Sequence, residues 1–277
     1  MNYRHSFHAG NFADIVKHAL VLWLLERRQA AGPLAVIDTH AGAGVYDLTG
    51  DAARSKEAEA GIARLMAAAD RPPLIEALAT EVARLNPHGG ATLYPGSPLL
   101  IAGRLRPDDR YVGFELNPPV LDLLEQALEP FPQAVGMGGD GYDQARSWAA
   151  RAPGAFVLID PPFERPGDSR RAADAGAAIV RADPRATVAI WTPLKDMETF
   201  DGFLRRLDQA GLKRVLVAEA RLRPLTNPMK MNGCAVVVLN PPAGADVAAS
   251  EICGWVADHL GDAGARSEVW MTGGGTA

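Results

Sequence analysis

The sequence predicts an α/β protein with a Rossmann-like, doubly wound and mostly parallel seven-stranded sheet that carries a small helical insertion. Short apolar segments alternate with helical patterns along the chain, as in βαβ units. Several of these segments end at an acidic residue or at a glycine turn. A chain of 277 residues, 48% of them hydrophobic and 22% charged, can also bury a full core.

The N-terminal half begins with a polar and aromatic segment at residues 1–11. A helical pattern then runs from Phe12 to about residue 31, where Gly32-Pro33 ends it. The apolar segment 34–37 predicts a strand that ends at Asp38. Thr39-His40-Ala41-Gly42-Ala43-Gly44 follows, and its two glycines let the backbone turn tightly and approach a ligand.

Residues 49–90 are rich in alanine and predict a helical insertion subdomain. Two helices are expected at 55–69 and 74–85, because proline and glycine clusters follow each of them. The insertion leaves residues 1–48 and 91–277 as the main domain.

The remaining elements continue the alternation of strands and helices. A brief strand-like segment at 92–94 precedes Pro95-Gly96-Ser97-Pro98, which starts a helix to about residue 105. Further strands are predicted at 111–114, 134–137, 156–159, 187–191, 214–218 and 235–239. Helices are predicted at 117–128, 170–182, 196–210 and 250–260.

Composition limits the functions that this chain can have. The formal charge of −5 argues against nucleic-acid binding over the whole surface, so a nucleic-acid site has to be local. Cys234 and Cys253 have neither metal-ligand nor disulfide spacing, and we expect no metal. The N-terminus lacks the apolar core of a signal peptide, and no apolar run near it could span a bilayer. We expect a cytoplasmic protein without a membrane anchor, and a monomer.

Polar residues follow four predicted strands, at the edge of the sheet where such folds bind ligands. They are His40 with its glycines, Glu115, Asp140 and Asp160. Glu115 could accept both hydroxyls of a ribose, and Asp140 could accept an adenine amine. A nicotinamide dehydrogenase is the competing interpretation, but it requires a third glycine, and the next strand-end acid, Glu115, comes only after the insertion.

The most distinctive corner is Asp160-Pro161-Pro162-Phe163, directly after the apolar segment 156–159. The two prolines fix the backbone, so the Asp160 carboxylate and the Pro161 carbonyl project rigidly beyond the strand. Two acceptors beside the flat face of Phe163 suit a planar group with an amine, such as adenine. A second Pro-Pro corner at 240–243 has no aromatic residue, and an antiparallel strand would place it at the opposite end of the sheet.

Six sequence motifs make the chain similar to the bacterial 23S ribosomal RNA adenine-N6 methyltransferases of the RlmJ type, which have the class I S-adenosylmethionine-dependent fold. The motifs are Tyr-Arg-His-Ser-Phe-His-Ala-Gly-Asn at 3–11, Lys17-His18, Asp-Thr-His-Ala-Gly-Ala-Gly at 38–44, Gly-Ile-Ala-Arg at 61–64, Tyr-Pro-Gly-Ser-Pro at 94–98 and Asp160-Pro161-Pro162. The family's usual tyrosine after Pro-Pro is replaced by Phe163, which keeps a face for stacking and loses a hydroxyl.

The resemblance implies S-adenosylmethionine as cofactor and ribosomal RNA as partner. The implied cofactor contacts are His18, His40, Ser97, Glu115, Asp140 and Gly141, with Lys17 and Gly42 as additional contributors. Asp160 is the implied catalytic residue, and Tyr3, His5, Pro161 and Phe163 are expected to contact the substrate. Two alternatives remain: an amino methyltransferase acting on DNA or a small molecule, and a non-catalytic RNA-binding protein.

Basic residues near the strand ends are expected to bind RNA phosphates in a salt-sensitive way. They are Arg4, His5, Lys17, Arg165, Arg170, Arg171, Arg221, Arg223 and Lys230.

Overall fold

A computed structural model describes residues 7–49, 52–165, 167–225 and 231–272 of the chain. Its helices are α1 (Phe12–Gln29), α2 (Arg64–Ala67), α3 (Pro73–Leu85), α4 (Ser97–Ala102), α5 (Pro118–Leu128), α6 (Gly141–Ala149), α7 (Asp168–Ala182), α8 (Met197–Gln209) and α9 (Ala245–Leu260). Its strands are β1 (Ala35–Asp38), β2 (Val45–Asp47), β3 (Leu93–Pro95), β4 (Arg110–Glu115), β5 (Ala134–Gly138), β6 (Phe156–Ile159), β7 (Thr187–Leu194), β8 (Val215–Arg221), β9 (Gly233–Leu239) and β10 (Arg266–Thr272).

The main sheet has eight strands in the order β10-β8-β9-β7-β6-β1-β4-β5. Strands β5, β4, β1, β6 and β7 are parallel neighbours, whereas β9 is antiparallel to both β7 and β8, and β10 is antiparallel to β8. The prediction of a mostly parallel, doubly wound sheet is therefore confirmed.

The predicted number of seven strands is wrong, because β10 adds an eighth at the edge. This strand has a single neighbour, and none of its residues is buried. It therefore lacks the apolar run that marks a central strand. The segment predicted at 92–94 forms β3, which pairs with β2 in a separate two-stranded sheet. Helix α6 was not predicted, because the glycines at 138, 139 and 141 lie around its beginning and glycine has a low helix propensity.

The two faces of the sheet have separate cores. Helices α1, α3, α4, α5 and α9 pack on one face, and α6, α7 and α8 cover the other. Strand β6 contributes to both, since Phe156 and Leu158 face the first core while Val157 and Ile159 face the second. This alternation explains why all four residues are apolar.

Helix α1 crosses the first core and is buried along most of its length. Asn11 caps its N-terminus, where the side-chain oxygen accepts hydrogen bonds from the backbone amides of Ala13 and Asp14. The helices of the predicted insertion pack against α1, with Ile62 and Leu65 buried in the same core. The insertion boundaries at 49 and 90 stay a prediction.

Because β9 is antiparallel to β7, the second Pro-Pro corner lies beside the beginning of β7. The hydroxyl of Thr187 donates a hydrogen bond of 3.1 Å to the carbonyl of Asn240 there. That corner is at the opposite end of the sheet from Asp160, as predicted. None of the helices within the described ranges is long and apolar enough to cross a membrane.

Candidate functional site

A cleft of about 1310 Å³ lies at the carboxyl ends of β1, β4, β5 and β6, and we call it the strand-end cleft. Every predicted site residue that the structure describes lines it: Lys17, His18, His40, Gly42, Ser97, Glu115, Asp140, Gly141, Asp160, Pro161 and Phe163. The other two, Tyr3 and His5, lie outside the described residues. The parallel topology brings His40, Gly42, Glu115, Asp140, Gly141 and the Asp160 corner together, because they follow strands that end at the same edge of the sheet. Lys17 and His18 reach the cleft from α1, and Ser97 reaches it from the beginning of α4.

Asp160, immediately after β6, is partly buried and forms an ion pair with the buried Lys17. Its carboxylate lies 2.6 Å from the ammonium nitrogen of Lys17, which is also 2.8 Å from a carboxylate oxygen of Asp14. Burial by itself would lower the pKa of Lys17, but the two carboxylates outweigh this effect and raise it. Lys17 is therefore a permanent cation that fixes the orientation of Asp160.

The corner after Asp160 carries a strained aromatic residue. Phe163 has a φ of 51°, in the left-handed region that side chains other than glycine rarely adopt. Its ring packs edge-on against Trp191, with centroids 5.6 Å apart and an interplanar angle of 60°. Such a backbone costs about 1–3 kcal/mol and persists where surrounding contacts impose it. Both rings line the strand-end cleft.

The loop after β1 is organised by the buried carboxylate of Asp38. Asp38 accepts hydrogen bonds from the hydroxyls of Ser97 at 2.7 Å and Tyr111 at 3.3 Å. Burial raises the pKa of Asp38 to about 6. Gly42 in the same loop has a φ of 68°, and a Cβ there would clash with the hydroxyl of Tyr46. The glycine is therefore required by both conformation and space.

Two histidines of the cleft have fixed partners. His18 is buried, and its Nδ1 lies 2.7 Å from the hydroxyl of Tyr94. The Nδ1 of His40 lies 2.7 Å from the hydroxyl of Thr39, and its ring packs edge-on against Tyr142. Burial lowers the pKa of His40 to about 4, so this imidazole is neutral at physiological pH.

The acids at the ends of β4 and β5 point into the cleft and are half-buried. Glu115 accepts hydrogen bonds from the backbone amides of Gly42 at 3.2 Å and Asn117 at 2.8 Å. Asp140 caps α6 by accepting from the amide of Tyr142 at 3.0 Å, and its other oxygen lies 2.9 Å from the guanidinium of Arg171. Burial opposes ionisation of Asp140, but the contacts with Arg171 and the helix amides lower its pKa.

Several residues that line the cleft were not predicted from the sequence. Asp14 could have been found, because it precedes Lys17 by three positions on a helix. Trp191 and Tyr142 could not be predicted as cleft residues. Trp191 is an aromatic residue at the end of a predicted strand, and Tyr142 is an aromatic residue at the beginning of a helix that was not predicted. The phenol oxygen of Tyr142 is buried and has no hydrogen-bond partner among the described residues. The guanidinium of Arg171 lies over the ring of Tyr142, 4.5 Å from its centroid.

The predicted basic residues divide into four groups. Lys17, Arg165, Arg171 and Arg223 line the strand-end cleft, whereas Arg170 is exposed outside the lining. Arg4 and Lys230, like His5, lie outside the described residues. The prediction that Arg221 faces RNA from a loop is wrong: it is the last residue of β8, is buried and pairs with Glu219, whose carboxylate lies 2.7 Å from its Nε.

No group of three His, Cys, Asp or Glu side chains with the geometry of a metal site occurs within the described ranges.

The sheet is doubly wound, and a ligand-sized cleft lies at its strand ends. Acids follow β4 and β5, and an Asp-Pro-Pro-Phe corner follows β6. Together these features define an α/β methyltransferase-like protein. The family model described as "Ribosomal RNA large subunit methyltransferase D, RlmJ" matches residues 31–272, and the chain belongs to this family. The resemblance inferred from the sequence motifs is thus confirmed.

Two curated relatives are similar over nearly the whole chain. Both are named "Ribosomal RNA large subunit methyltransferase J". The protein from Escherichia coli (strain K12) is 31% identical over 270 residues, which cover 95% of each chain. The protein from Haemophilus influenzae is 30% identical over 279 residues, covering 98% of this chain and 99% of the relative.

A solved crystal structure of a protein from Legionella pneumophila has the same fold. Its TM-score with this chain is 0.86 at 24% sequence identity, and the match covers 96% of this chain and 98% of the other.

Proposed function

We propose that this protein transfers a methyl group from S-adenosylmethionine to the exocyclic N6 of an adenine in 23S ribosomal RNA. The observation that carries the proposal is that the Asp160-Pro161 corner opens into the same cleft as Glu115 and Asp140. One cleft therefore offers acceptors for an amine to be methylated and acceptors for a nucleoside. The names of the two curated relatives support ribosomal RNA as the substrate.

The residues of the cleft fit S-adenosylmethionine. The phenol oxygen of Tyr142 is buried and finds no hydrogen-bond partner in the described part of the chain, so a polar group of the cofactor could provide one. When bound, S-adenosylmethionine supplies an electrophilic methyl group. The residues that would hold it are Lys17, His18, His40, Gly42, Ser97, Glu115, Asp140 and Gly141.

Asp160 would orient the target amine and then accept its proton. The amine of adenine is a poor nucleophile, so its orientation by the Asp160 carboxylate and the Pro161 carbonyl is the main contribution, and effects of this kind reach about 7–11 kcal/mol. Methylation makes N6 cationic and strongly acidic. The carboxylate, fixed by Lys17 at 2.6 Å, can then take the proton without any tuned base.

The base would rest against the aromatic corner. Phe163 presents a ring to the cleft and Trp191 supports it from the side. Stacking on such a ring contributes about 1–3 kcal/mol per base and needs no hydroxyl. An adenine within folded RNA has to be swung out of its stack to reach this position. Tyr3 and His5 stay proposed substrate contacts, and the monomeric state stays a prediction.

Radioactive methyl transfer to three substrates tests the proposal. Purified protein and labelled S-adenosylmethionine are incubated with ribosomal RNA lacking the modification, with DNA or with free adenosine, and the products are digested to nucleosides. We expect label in N6-methyladenosine from the large-subunit RNA alone. Label in DNA or in adenosine would favour another amino methyltransferase. No transfer, with no binding of S-adenosylmethionine by calorimetry, would favour a non-catalytic RNA-binding protein.

A further inference from the structure

One wall of the strand-end cleft joins the predicted insertion to the segment that precedes α1. Glu57 of the insertion bonds to two residues of this segment: one carboxylate oxygen lies 2.9 Å from Nδ1 of His8, and the other accepts from Nδ2 of Asn11 at 3.0 Å. The backbone amide of Ile62 also donates to the carbonyl of Gly10 at 2.8 Å. The segment 8–11 is thus held by the insertion at three points.

The two backbones approach each other as closely as glycine permits. A Cβ at Gly61 would clash with the carbonyl of Gly10 and would lie 2.9 Å from Asn11 backbone carbons. His8, Asn11, Glu57 and Gly61 all line the cleft. The wall that they form is therefore part of the cleft itself.

The same segment connects to the ion pair of Asp160. Asp14 accepts a hydrogen bond from the amide of Gly10 at 2.9 Å with one carboxylate oxygen and lies 2.8 Å from Lys17 with the other. Lys17 in turn contacts Asp160. Glu57 also bonds the side chain of Asn11, whose oxygen caps α1 at the amide of Asp14. A continuous series of polar contacts therefore runs from Glu57 to Asp160.

The wall adjoins the Asp160 end of the cleft. The pKa of His8 is raised chiefly by its hydrogen bond to the carboxylate of Glu57, and the negative charges of Glu57, Asp14 and Glu164 add to this effect. Glu164 directly follows the Asp-Pro-Pro-Phe corner. Glu115 and Asp140, the proposed acceptors for the cofactor, follow β4 and β5, which lie on the opposite side of β1 from β6. The wall therefore belongs to the half of the cleft that would receive the methyl acceptor.

We infer that Glu57 is a positioning residue for the RNA substrate: by bonding His8 and Asn11 it holds segment 8–11 as the wall against which the target nucleotide is placed. The inference rests on the proposed function and deepens it. It gives the insertion a role in substrate placement, separate from cofactor binding. Glu57 touches neither the reacting atoms nor the cofactor residues, so its effect is transmitted through the segment.

The test compares two variants of neighbouring glutamates in the full-length chain. Glu57→Gln keeps the size of the side chain and removes its charge, while Glu59→Gln makes the same change at an exposed residue outside the cleft lining. Because small displacements of a substrate can cost up to about 100-fold in rate, we expect Glu57→Gln to lower kcat/KM for RNA by about 10- to 100-fold. Glu59→Gln should match the wild type, and both should bind S-adenosylmethionine normally in calorimetry.

A second variant tests whether the effect of Glu57 is transmitted through His8. If Glu57 acts through His8, the double variant Glu57→Gln/His8→Ala should lose no more activity than the more severe single variant, and rates in a double-mutant cycle measure this directly. Equal kcat/KM for Glu57→Gln and wild type would overturn the inference, as would fully additive losses or a loss of cofactor binding. If the wild type itself transfers no methyl group, the proposed function fails instead.

Discussion

Lys17 carries its charge in a position where only 3% of its surface is exposed, because two carboxylates face its ammonium group. A buried cation without a partner would lose its proton, whereas Asp14 and Asp160 raise the pKa of Lys17. Replacing one member of such a group leaves the others with an uncompensated charge. With two carboxylates present, however, the loss of one still leaves Lys17 paired.

This arrangement allows a clean test of Asp160. In Asp160→Asn the ion pair of Lys17 with Asp14 persists, so we expect the fold and its thermal unfolding temperature to change little. The amide cannot take a proton from the methylated amine, and methyl transfer should fall by about 10²–10⁴-fold or be abolished. The assay is single-turnover transfer to ribosomal RNA.

Asp201→Asn is the matched control, because Asp201 is exposed on α8 and outside the cleft lining. It should retain the wild-type rate. A wild-type rate in Asp160→Asn as well would remove Asp160 from its proposed role.

At the scale of elements, the relative positions of the loops that follow the strands depend on close backbone packing. The beginning of α6 lies so near the loop after β1 that a Cβ at Gly141 would clash with the carbonyl of Thr39. Asp140, immediately before it, caps the helix and points its second oxygen to Arg171. The segments that follow β1 and β5, whose strands are separated by β4, are thereby fixed relative to each other.

Gly141→Ala is therefore expected to destabilise the protein. Forcing one methyl group into a tightly packed position costs about 1–3 kcal/mol in free energy of unfolding, measured by chemical denaturation. The displacement of Asp140 should also weaken binding of S-adenosylmethionine in calorimetry. Gly202→Ala provides the contrast: Gly202 lies in α8 with open space around it, and alanine there should stabilise the helix by up to about 1 kcal/mol. Equal effects of the two substitutions would contradict the packing argument.

The central elements could be predicted from the sequence because local chemistry determines them. The run at 156–159 is apolar on both faces, and the prolines after Asp160 specify the corner whatever surrounds them. Strand β10 could not be predicted, since it is an edge strand without buried residues. The pairing of Lys17 with Asp160 joins residues 143 positions apart, and only the packing of α1 against the sheet brings them together. The same holds for Glu57 with His8 and Asn11.

At the scale of the whole molecule, a net charge of −5 coexists with cations at the rim of the strand-end cleft, which lie among acidic residues such as Glu164 and Asp262. Exposed Arg165 and Lys195 and half-buried Arg223 contribute to its lining. Arg223 is partly neutralised by Asp262, 3.0 Å away, which leaves Arg165 and Lys195 as the more available cations of the three. A polyanion would be repelled by the overall charge and attracted at this rim.

This distribution predicts RNA binding that is local and sensitive to salt. Each phosphate contact with a single strand contributes a slope of about −0.7 to the dependence of log K on log salt concentration. Lys195→Met should therefore weaken binding at low salt and make the slope shallower by about 0.7, as measured by fluorescence anisotropy over a salt series. Lys213→Met removes the same charge from an exposed residue outside the cleft lining, so both variants have the same net charge. If the two slopes changed equally, the overall charge and not the rim would govern binding. A change confined to Lys195→Met would locate the RNA backbone at the strand-end cleft.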